Sequence, residues 1–345
     1  MKLKTSFKCL ALKRVLAKCN RLAVGHVFRY STQVIILGCE DGVIRVYDFP
    51  TAGSRDELKL KCTLETKGGP IQSLLLHDIT KFGSIDLLVG HSGGVITIFC
   101  NEQIVNRCSF SEQSVDELQV DHDATGNLSV VVGDNGGNIN AFLPYQPLWR
   151  LRLSDIPLLQ SVSKQPVVTC LLAANLSSSS GNVSNYVLAC DDCQRLHVLQ
   201  QGSVVQTLYT HTVVTAMCSG QFLPETEAET GGPINGVTSQ IALAGQDGSI
   251  YIMSHFQIYS VEYGSVHLPL TQVMTLPTSD DGEMDYLLCA GHFNSVMLYH
   301  TGKLITKYTT SDWVNSMATA DVDNDGEKEV IISCLDDTIH FLKVT

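Results

Sequence analysis

One pattern recurs seven times along the chain: an apolar run, a small residue, a tight turn, then a strand of alternating apolar residues. It reads VIILGCEDGVIRVYDF from Val34, DLLVGHSGGVITIFC from Asp86 and SVVVGDNGGNINAF from Ser129. It continues as YVLACDDCQRLHVL from Tyr186, QIALAGQDGSIYIM from Gln240, DYLLCAGHFNSVMLY from Asp285 and EVIISCLDDTIHFLKV from Glu329. The turn residues Gly42, Gly94, Gly137, Gln194, Gly248, Asn294 and Asp337 follow one another at intervals of 43 to 57 residues. Gly, Asn and Asp tolerate the positive φ that tight hairpins demand. A strand-turn-strand unit repeated at this period is the signature of propeller blades.

Each copy has a further strand before the hairpin, such as PIQSLLLHDI, PVVTCLLAANL or DWVNSMATADV, and usually one after it, such as IVNRCSF, LWRLRL or SVVQTLY. Four strands, a to d, make one blade. The expected fold is an all-β, seven-bladed propeller of four-stranded antiparallel blades in a single domain, 1–345. The blades span approximately 20–66, 68–112, 113–155, 164–210, 211–264, 268–310 and 311–345, the last completed by 6–17. The seventh copy ends at HFLKVT with nothing left for its outer strand, while TSFKCLALKRVL near the N-terminus is unassigned. Pairing the two closes the ring and removes two bare sheet edges. A helix over residues 8–18 is the competing expectation, because Ala, Leu, Lys and Arg favour helix.

An apolar share of 44% and a charged share of 17% describe a chain that folds around a core. Residues 1–39 hold eight Lys or Arg and no acid, so a net charge of −12 leaves the remainder about −20. An acidic body lacks the clustered cations that phosphate backbones require, so no nucleic-acid partner is expected. The basic start also fits an organelle transit peptide, but ring closure accounts for it. No apolar stretch reaches the length of a membrane-spanning helix. Twelve cysteines lie singly in apolar runs, as reduced thiols of an intracellular, cytoplasmic protein do. Cys190 and Cys193 form a lone C-x-x-C, and a zinc site would need a second pair.

Between strands a and b of the last copy stands DVDNDGEKE, Asp321 to Glu329. Oxygen ligands at alternate positions of a tight loop, with Gly326 at the sixth, are what a hard cation such as Ca²⁺ requires. Other copies keep the loop and lose its charge. DHDATGNLS, Asp121 to Ser129, retains two carboxylates and the glycine; PTSDDGEMD, Pro277 to Asp285, retains the later acids; HDITKFGSID retains Asp78 and Asp86.

The pattern D-x-D-x-D-G-x-x-[DE] followed by an apolar strand resembles the integrin-α, or FG-GAP, class of propeller repeat. The blade layout carries the resemblance over the whole chain, the specific motif over nine residues. It implies one structural Ca²⁺ held by the side chains of Asp321, Asp323, Asp325 and Glu329 and the carbonyl of Glu327. The chain departs from the family in having Glu at the ninth position and in lacking the Phe-Gly and Gly-Ala-Pro elements. YVLACDDCQRLHVLQQGSVV and ADVDNDGEKEVIIS look most like intracellular members, the BBSome propeller subunits and the kaptin-type subunits of KICSTOR. The resemblance therefore implies a subunit of a hetero-oligomeric complex, of the ciliary-trafficking or nutrient-signalling type and cilium- or lysosome-associated, whose partners are other proteins.

No nucleophile elbow, phosphate-binding glycine loop or paired-histidine motif appears, so no catalytic residue is nominated and no enzyme is expected. His77, His122 and His211 near strand-a ends read as turn or channel residues. IRVYDF is like the close of a WD40 strand, but neither Trp149 nor Trp313 is followed by Asp. QPLWRLRL combines residue types enriched at binding hot spots, against the plainer reading that Trp149 packs on the neighbouring blade. ANLSSSSGNVSN, 174–185, and PETEAETGGPINGVTSQ, 224–240, read as surface loops on the same face as the aspartate loop. The expected function is a non-catalytic protein-interaction scaffold. The alternatives are a calcium-dependent, integrin-like adhesion propeller, which needs secretion, and a WD40-like adaptor.

Overall fold

The computed structural model describes residues 5–50, 58–122, 127–156, 165–177, 183–224, 239–278, 283–322 and 325–345. Six of the seven expected turns take the left-handed conformation: Gly42, Gly94, Gly137, Gln194, Gly248 and Asp337 have φ between 60° and 88°. Asn294 does not. A register shift between Cys289 and Gly291 pairs Gly291 with Phe293, so the sixth hairpin reverses around His292 instead.

These hairpins sit inside seven antiparallel sheets. Blade 1 comprises Cys19–Gly25, Val34–Cys39, Val43–Asp48 and Leu60–Glu65; blade 2 comprises Ile71–His77, Asp86–His91, Val95–Cys100 and Gln103–Ser109. Blade 3 comprises Val115–His122, Leu128–Asp134, Asn138–Leu143 and Gln146–Arg152, and blade 4 Val168–Ser177, Val183–Asp191, Arg195–Gln200 and Ser203–Tyr209. In blade 5, Val214–Gly220, Gln240–Gly245 and Ser249–Ser254 are followed by an outer strand in two pieces, Gln257–Ile258 and Gly264–Ser265. Blade 6 comprises Leu270–Leu276, Tyr286–Gly291, Phe293–His300 and Lys303–Thr309.

Blade 7 takes strands a to c from Val314–Ala320, Glu329–Cys334 and Thr338–Val344, and its outer strand from Phe7–Arg14. The register runs from Phe7 opposite Val344 to Arg14 opposite Thr338, with a bulge between Cys9 and Ala11. Ser6 and Thr345 exchange backbone hydrogen bonds of 2.8 and 2.9 Å. Residues 8–18 are therefore not a helix: an unfilled sheet edge outweighs their local propensity. Nor is 174–185 wholly a loop. Ala174–Ser177 and Val183–Asn185 extend the first hairpin of blade 4, because Ala174 pairs with Tyr186 and Ser177 with Val183.

Strands b are buried on both faces, which is why their sequences are apolar runs and not alternations. Each of the seven hydrophobic clusters fills one junction between neighbouring blades. The cluster that joins blade 7 to blade 1 packs Leu22, Ile35 and Leu37 against Ile331, Ile339 and Phe341. Ring closure is thus as apolar as any other junction.

Every strand a carries a bulge at its second residue. Those residues are Asn20, Gln72, Asp116, Thr169, Thr215, Thr271 and Asn315, all polar. Four of them reach the carbonyl that opens the next blade: Asn20 donates to Ile71 (3.1 Å), Thr169 to Val214 (2.6 Å), Thr215 to Leu270 (2.5 Å) and Asn315 to Cys19. Ser73 makes the same bond to Val115 at 2.8 Å. A bulge re-aims its side chain out of the pleat, and here it aims a donor along the ring.

A second repeated bond ties each d–a connection to the b–c turn of the blade it enters. The amides of Glu40, Ser92, Asn135, Asp192, Gln246, His292 and Leu335 donate to the carbonyls of Lys18, Pro70, Ser114, Val167, Val213, Pro269 and Trp313, at 2.9 to 3.3 Å. These seven pairs are equivalent positions on one face of the ring. The described parts of the a–b loops, Asp325 to Glu329 among them, and the c–d turns form the other face. Outer strands carry nine Lys or Arg and one acid, Glu65. Cations on an edge strand oppose edge-to-edge pairing.

Candidate cation loop and polar clusters

The last a–b loop is organised by its own carboxylates. Asp321 accepts the amides of Asp325 (3.1 Å) and Gly326 (3.0 Å), and Asp325 accepts that of Glu327 (2.9 Å). Gly326 has φ 91°, as a sharp turn at the sixth position requires. Glu329 opens strand b fully buried, and its Oε2 accepts the Val322 amide at 2.7 Å. Asp323 lies outside the described residues.

Sequence reasoning missed Lys343. From strand c its ammonium reaches into the loop, paired with Asp325, 3.2 Å from Oε1 of Glu329 and 3.7 Å from Oε2 of Glu327. Three of the residues expected to serve a divalent ion thus converge on a side-chain cation, whose side chain is 14% exposed. Among the described residues, no three Asp, Glu, His or Cys side chains stand close enough to share a metal ion. The oxygen chemistry fits Ca²⁺, and the space next to it holds a positive charge already.

Glu329 belongs to a device that other blades share. At the start of strand b, buried Asp86 accepts the Thr80 amide (2.8 Å) and buried Gln240 accepts those of Phe222 (2.9 Å) and Leu223 (2.8 Å). Each side chain pins its a–b loop through backbone amides. The varied residue type, Asp, Gln or Glu, hides the equivalence in the sequence.

The remaining candidates separate. His77 and His122 lie together, ring centroids 5.9 Å apart, on the a–b side, whereas His211 packs on Tyr251 at 4.4 Å on the other face. Cys190 points into the blade 4–5 core, its thiol donating to Met217 Sδ at 3.6 Å, while Cys193 sits in the turn. Burial, and next the carboxylates of Asp191 and Asp192, push the Cys193 thiol up, away from a reactive thiolate. Trp149 packs against the blade 3–4 core, over Gly202. The segment 225–238 of the longer expected loop lies outside the described residues, as do residues 178–182 of the shorter one.

Inside the channel, Arg21 of blade 1 faces the acids of blade 3. Burial, and next the neighbouring Asp116, raise the Glu117 carboxyl to about 7 against the opposing pull of Arg21. Near the channel mouth Asn20, Arg21, Glu40, Pro70, Gln72 and Asn315 surround a cavity of about 450 Å³.

No family model matches this sequence. A search of curated proteins finds no match either. Solved structures do match, over nearly the whole chain. Two crystals of BBS1N in complex with ARL6DN superpose with TM-scores of 0.68 and 0.69 at 10% and 9% identity, covering 98% of this chain and 95% of that one. The WD40 β-propeller domain of Doa1 superposes with a TM-score of 0.67 at 13% identity, over 98% and 97%. At such identities the likeness establishes the fold: this chain is a seven-bladed β-propeller built like BBS1N and the Doa1 domain.

Proposed function

We propose that the protein is a non-catalytic interaction scaffold, a rigid ring whose loop faces bind other proteins within a larger assembly. The likeness along the whole ring to BBS1N, a propeller crystallised with ARL6DN bound, carries this reading. A ring locked at every junction offers loops on a fixed frame, where binding function concentrates. The FG-GAP-type motif and its resemblance to BBSome and KICSTOR subunits support a hetero-oligomeric complex of the trafficking or nutrient-signalling kind. Affinity purification of the tagged chain with mass spectrometry tests this; recovery of no stoichiometric partner from cells at native expression contradicts it. All twelve cysteines are free thiols, seven of them buried, which supports a reducing, intracellular compartment. No helix among the described residues is long and apolar enough to cross a membrane.

Structural Ca²⁺ at Asp321, Asp323, Asp325, Glu327 and Glu329 is part of the same proposal. The ion would bind by displacing the Lys343 ammonium and would stiffen the a–b loop. Its test is the response of the melting temperature to calcium and chelator, developed below.

A further inference from the structure

Asn138, Asn140 and Phe142 alternate along strand c of blade 3 and share the side that packs on blade 2. Asn138 is fully engaged. Its amide donates to both oxygens of Asp134, at 3.0 and 2.8 Å, and its Oδ1 accepts Arg150 at 3.1 Å and Arg152 at 3.3 Å. Asn140 is as deeply placed, 6% exposed, yet its carboxamide has no hydrogen-bond partner among the described residues. Burying an amide with nothing to replace its lost water is a cost that folds ordinarily avoid. The Asn140 side chain lines a groove of about 510 Å³ between the outer parts of blades 2 and 3.

The rest of the groove has the build of a ligand site. Phe110 and Phe142 form an aromatic floor, ring centroids 4.8 Å apart, while Tyr145 and Leu148 stand at the rim, 67% and 45% exposed. Leu148 has no cross-strand partner, because the register shifts between Ala141 and Phe142. A bulge re-aims such a residue out of the pleat. The Asn106 amide of blade 2 donates to the Pro144 carbonyl, which ties the turn carrying Tyr145 to the neighbouring blade. Arg150 stands opposite Asn140 in the register, and Asn138 takes up one of its five N–H donors. An apolar, aromatic lining with a few convergent polar groups is the usual make-up of pockets of about 300–1,000 Å³ that bind ligands.

We propose that this groove holds an extended segment of a partner protein, with an apolar side chain over Phe142 and an Asp or Glu on Arg150. The proposal rests on the scaffold reading and names the site it uses. The Asn140 carboxamide offers a donor and an acceptor in one plane, which a residue in extended conformation matches with its own C=O and N–H. A helix has spent those groups internally. The charge of the occupant follows from the groove's own. Arg150 and Arg152 both turn to this side, where they share Asn138, and neither outer strand, Gln103–Ser109 or Gln146–Arg152, carries an acid. Among the described residues no Asp or Glu lines the groove. Asp134 is buried behind Asn138, and Glu102 accepts the Tyr30 hydroxyl at 2.7 Å on the blade 1 side. Glu112 and Asp155 follow the two outer strands in the chain and lie outside the lining. A guanidinium with donors to spare, next to an apolar slot, suits a carboxylate held by two parallel bonds.

The test pans a phage-displayed library of random peptides on the whole chain and measures the most enriched peptide, fluorescein-labelled, by anisotropy. Enriched sequences should set an Asp or Glu close to a large apolar residue. Arg150→Glu and Asn140→Leu should each weaken binding about tenfold or more. Asn140→Leu also separates binding from folding: it replaces an unpartnered amide by an apolar group of similar size, so its melting temperature should equal or exceed that of wild type. No enrichment over the Asn140→Leu, Arg150→Glu double variant overturns the proposal, as does enrichment of basic peptides or equal binding to wild type and variants. A lower melting temperature for Asn140→Leu also overturns it, because the amide then serves the fold. So does a wild-type dimer by light scattering that Tyr145→Ser dissociates, since the occupant is then a second copy. Affinity purification separates the two levels. If the double variant recovers every partner of the wild type, the groove is the wrong site and the scaffold stands; if the wild type recovers none, the scaffold reading fails.

Discussion

Replacing Lys343 with methionine isolates the electrostatics of the aspartate loop. Methionine keeps most of the volume of the lysine stem and removes only the ammonium. In the folded protein that ammonium is 3.2 Å from Glu329 Oε1, and the carboxylate is fully buried. Without it, Glu329 keeps the Val322 amide on Oε2, and Oε1 has no hydrogen-bond donor among the described residues. Removing one partner of a buried ion pair costs about 3–5 kcal/mol; the Lys343 side chain is not wholly buried, so the lower figure, about 3 kcal/mol, applies. At roughly 2.1 cal/mol/K per residue, a chain of this length melts with an entropy of about 0.7 kcal/mol/K, so the melting temperature should fall by about 4 °C. Scanning calorimetry in chelator measures it. Calcium should then raise the variant more than the wild type, since the ion no longer competes with a tethered cation. A variant that melts within a degree of wild type in chelator refutes the electrostatic account. A variant indifferent to calcium refutes the cation site.

Two glycines with positive φ should respond very differently to alanine. At Gly94 a Cβ would lie 1.9 Å from the Ser111 carbonyl, whereas at Gly326 nothing is within 4 Å. Urea melts should show about 1–2 kcal/mol lost at Gly326, from backbone strain alone, and several at Gly94, where backbone must move. Burial holds the imidazoles of His91 and His340 below their ordinary range. The unfolded chain therefore takes up protons first, and stability, whole above about pH 6.5, should decline as pH falls below it. His340→Gln should flatten the acid limb of a plot of melting temperature against pH; an unchanged slope counts against it. Glu117 has the opposite sign. Its folded pKa of about 7 lies above the unfolded value, so its contribution is present in acid and lost as pH rises towards 7. Glu117→Gln should therefore raise the melting temperature at pH 8 and not at pH 4.

The hairpins were legible because a turn needs particular residues and a doubly buried strand needs an apolar run. Both demands are local, so the period shows in the sequence. The zipped N-terminus was legible by elimination, since the last copy lacks an outer strand. What stayed hidden depends on neighbours distant in the chain. Asn20, Thr169, Thr215 and Asn315 share no single residue type, only a bulge from which each reaches the next blade. Lys343, near the end of strand c, carries no local sign that it meets a loop eighteen residues earlier. The sixth turn was misread because Asn294 suits a left-handed position that a register shift removed.

The pairing of Phe7–Arg14 with Thr338–Val344 also sets a schedule for biosynthesis. Phe7–Arg14 needs a partner that is made roughly 330 residues later in the chain. At roughly 10 residues per second the wait is about half a minute. Until then Leu10 and Leu12 stand on a segment that has no sheet to join, and six blades can form around an open gap. Cells that make this protein therefore have to shield that segment, or tolerate its pairing with the unfinished edge of another nascent ring.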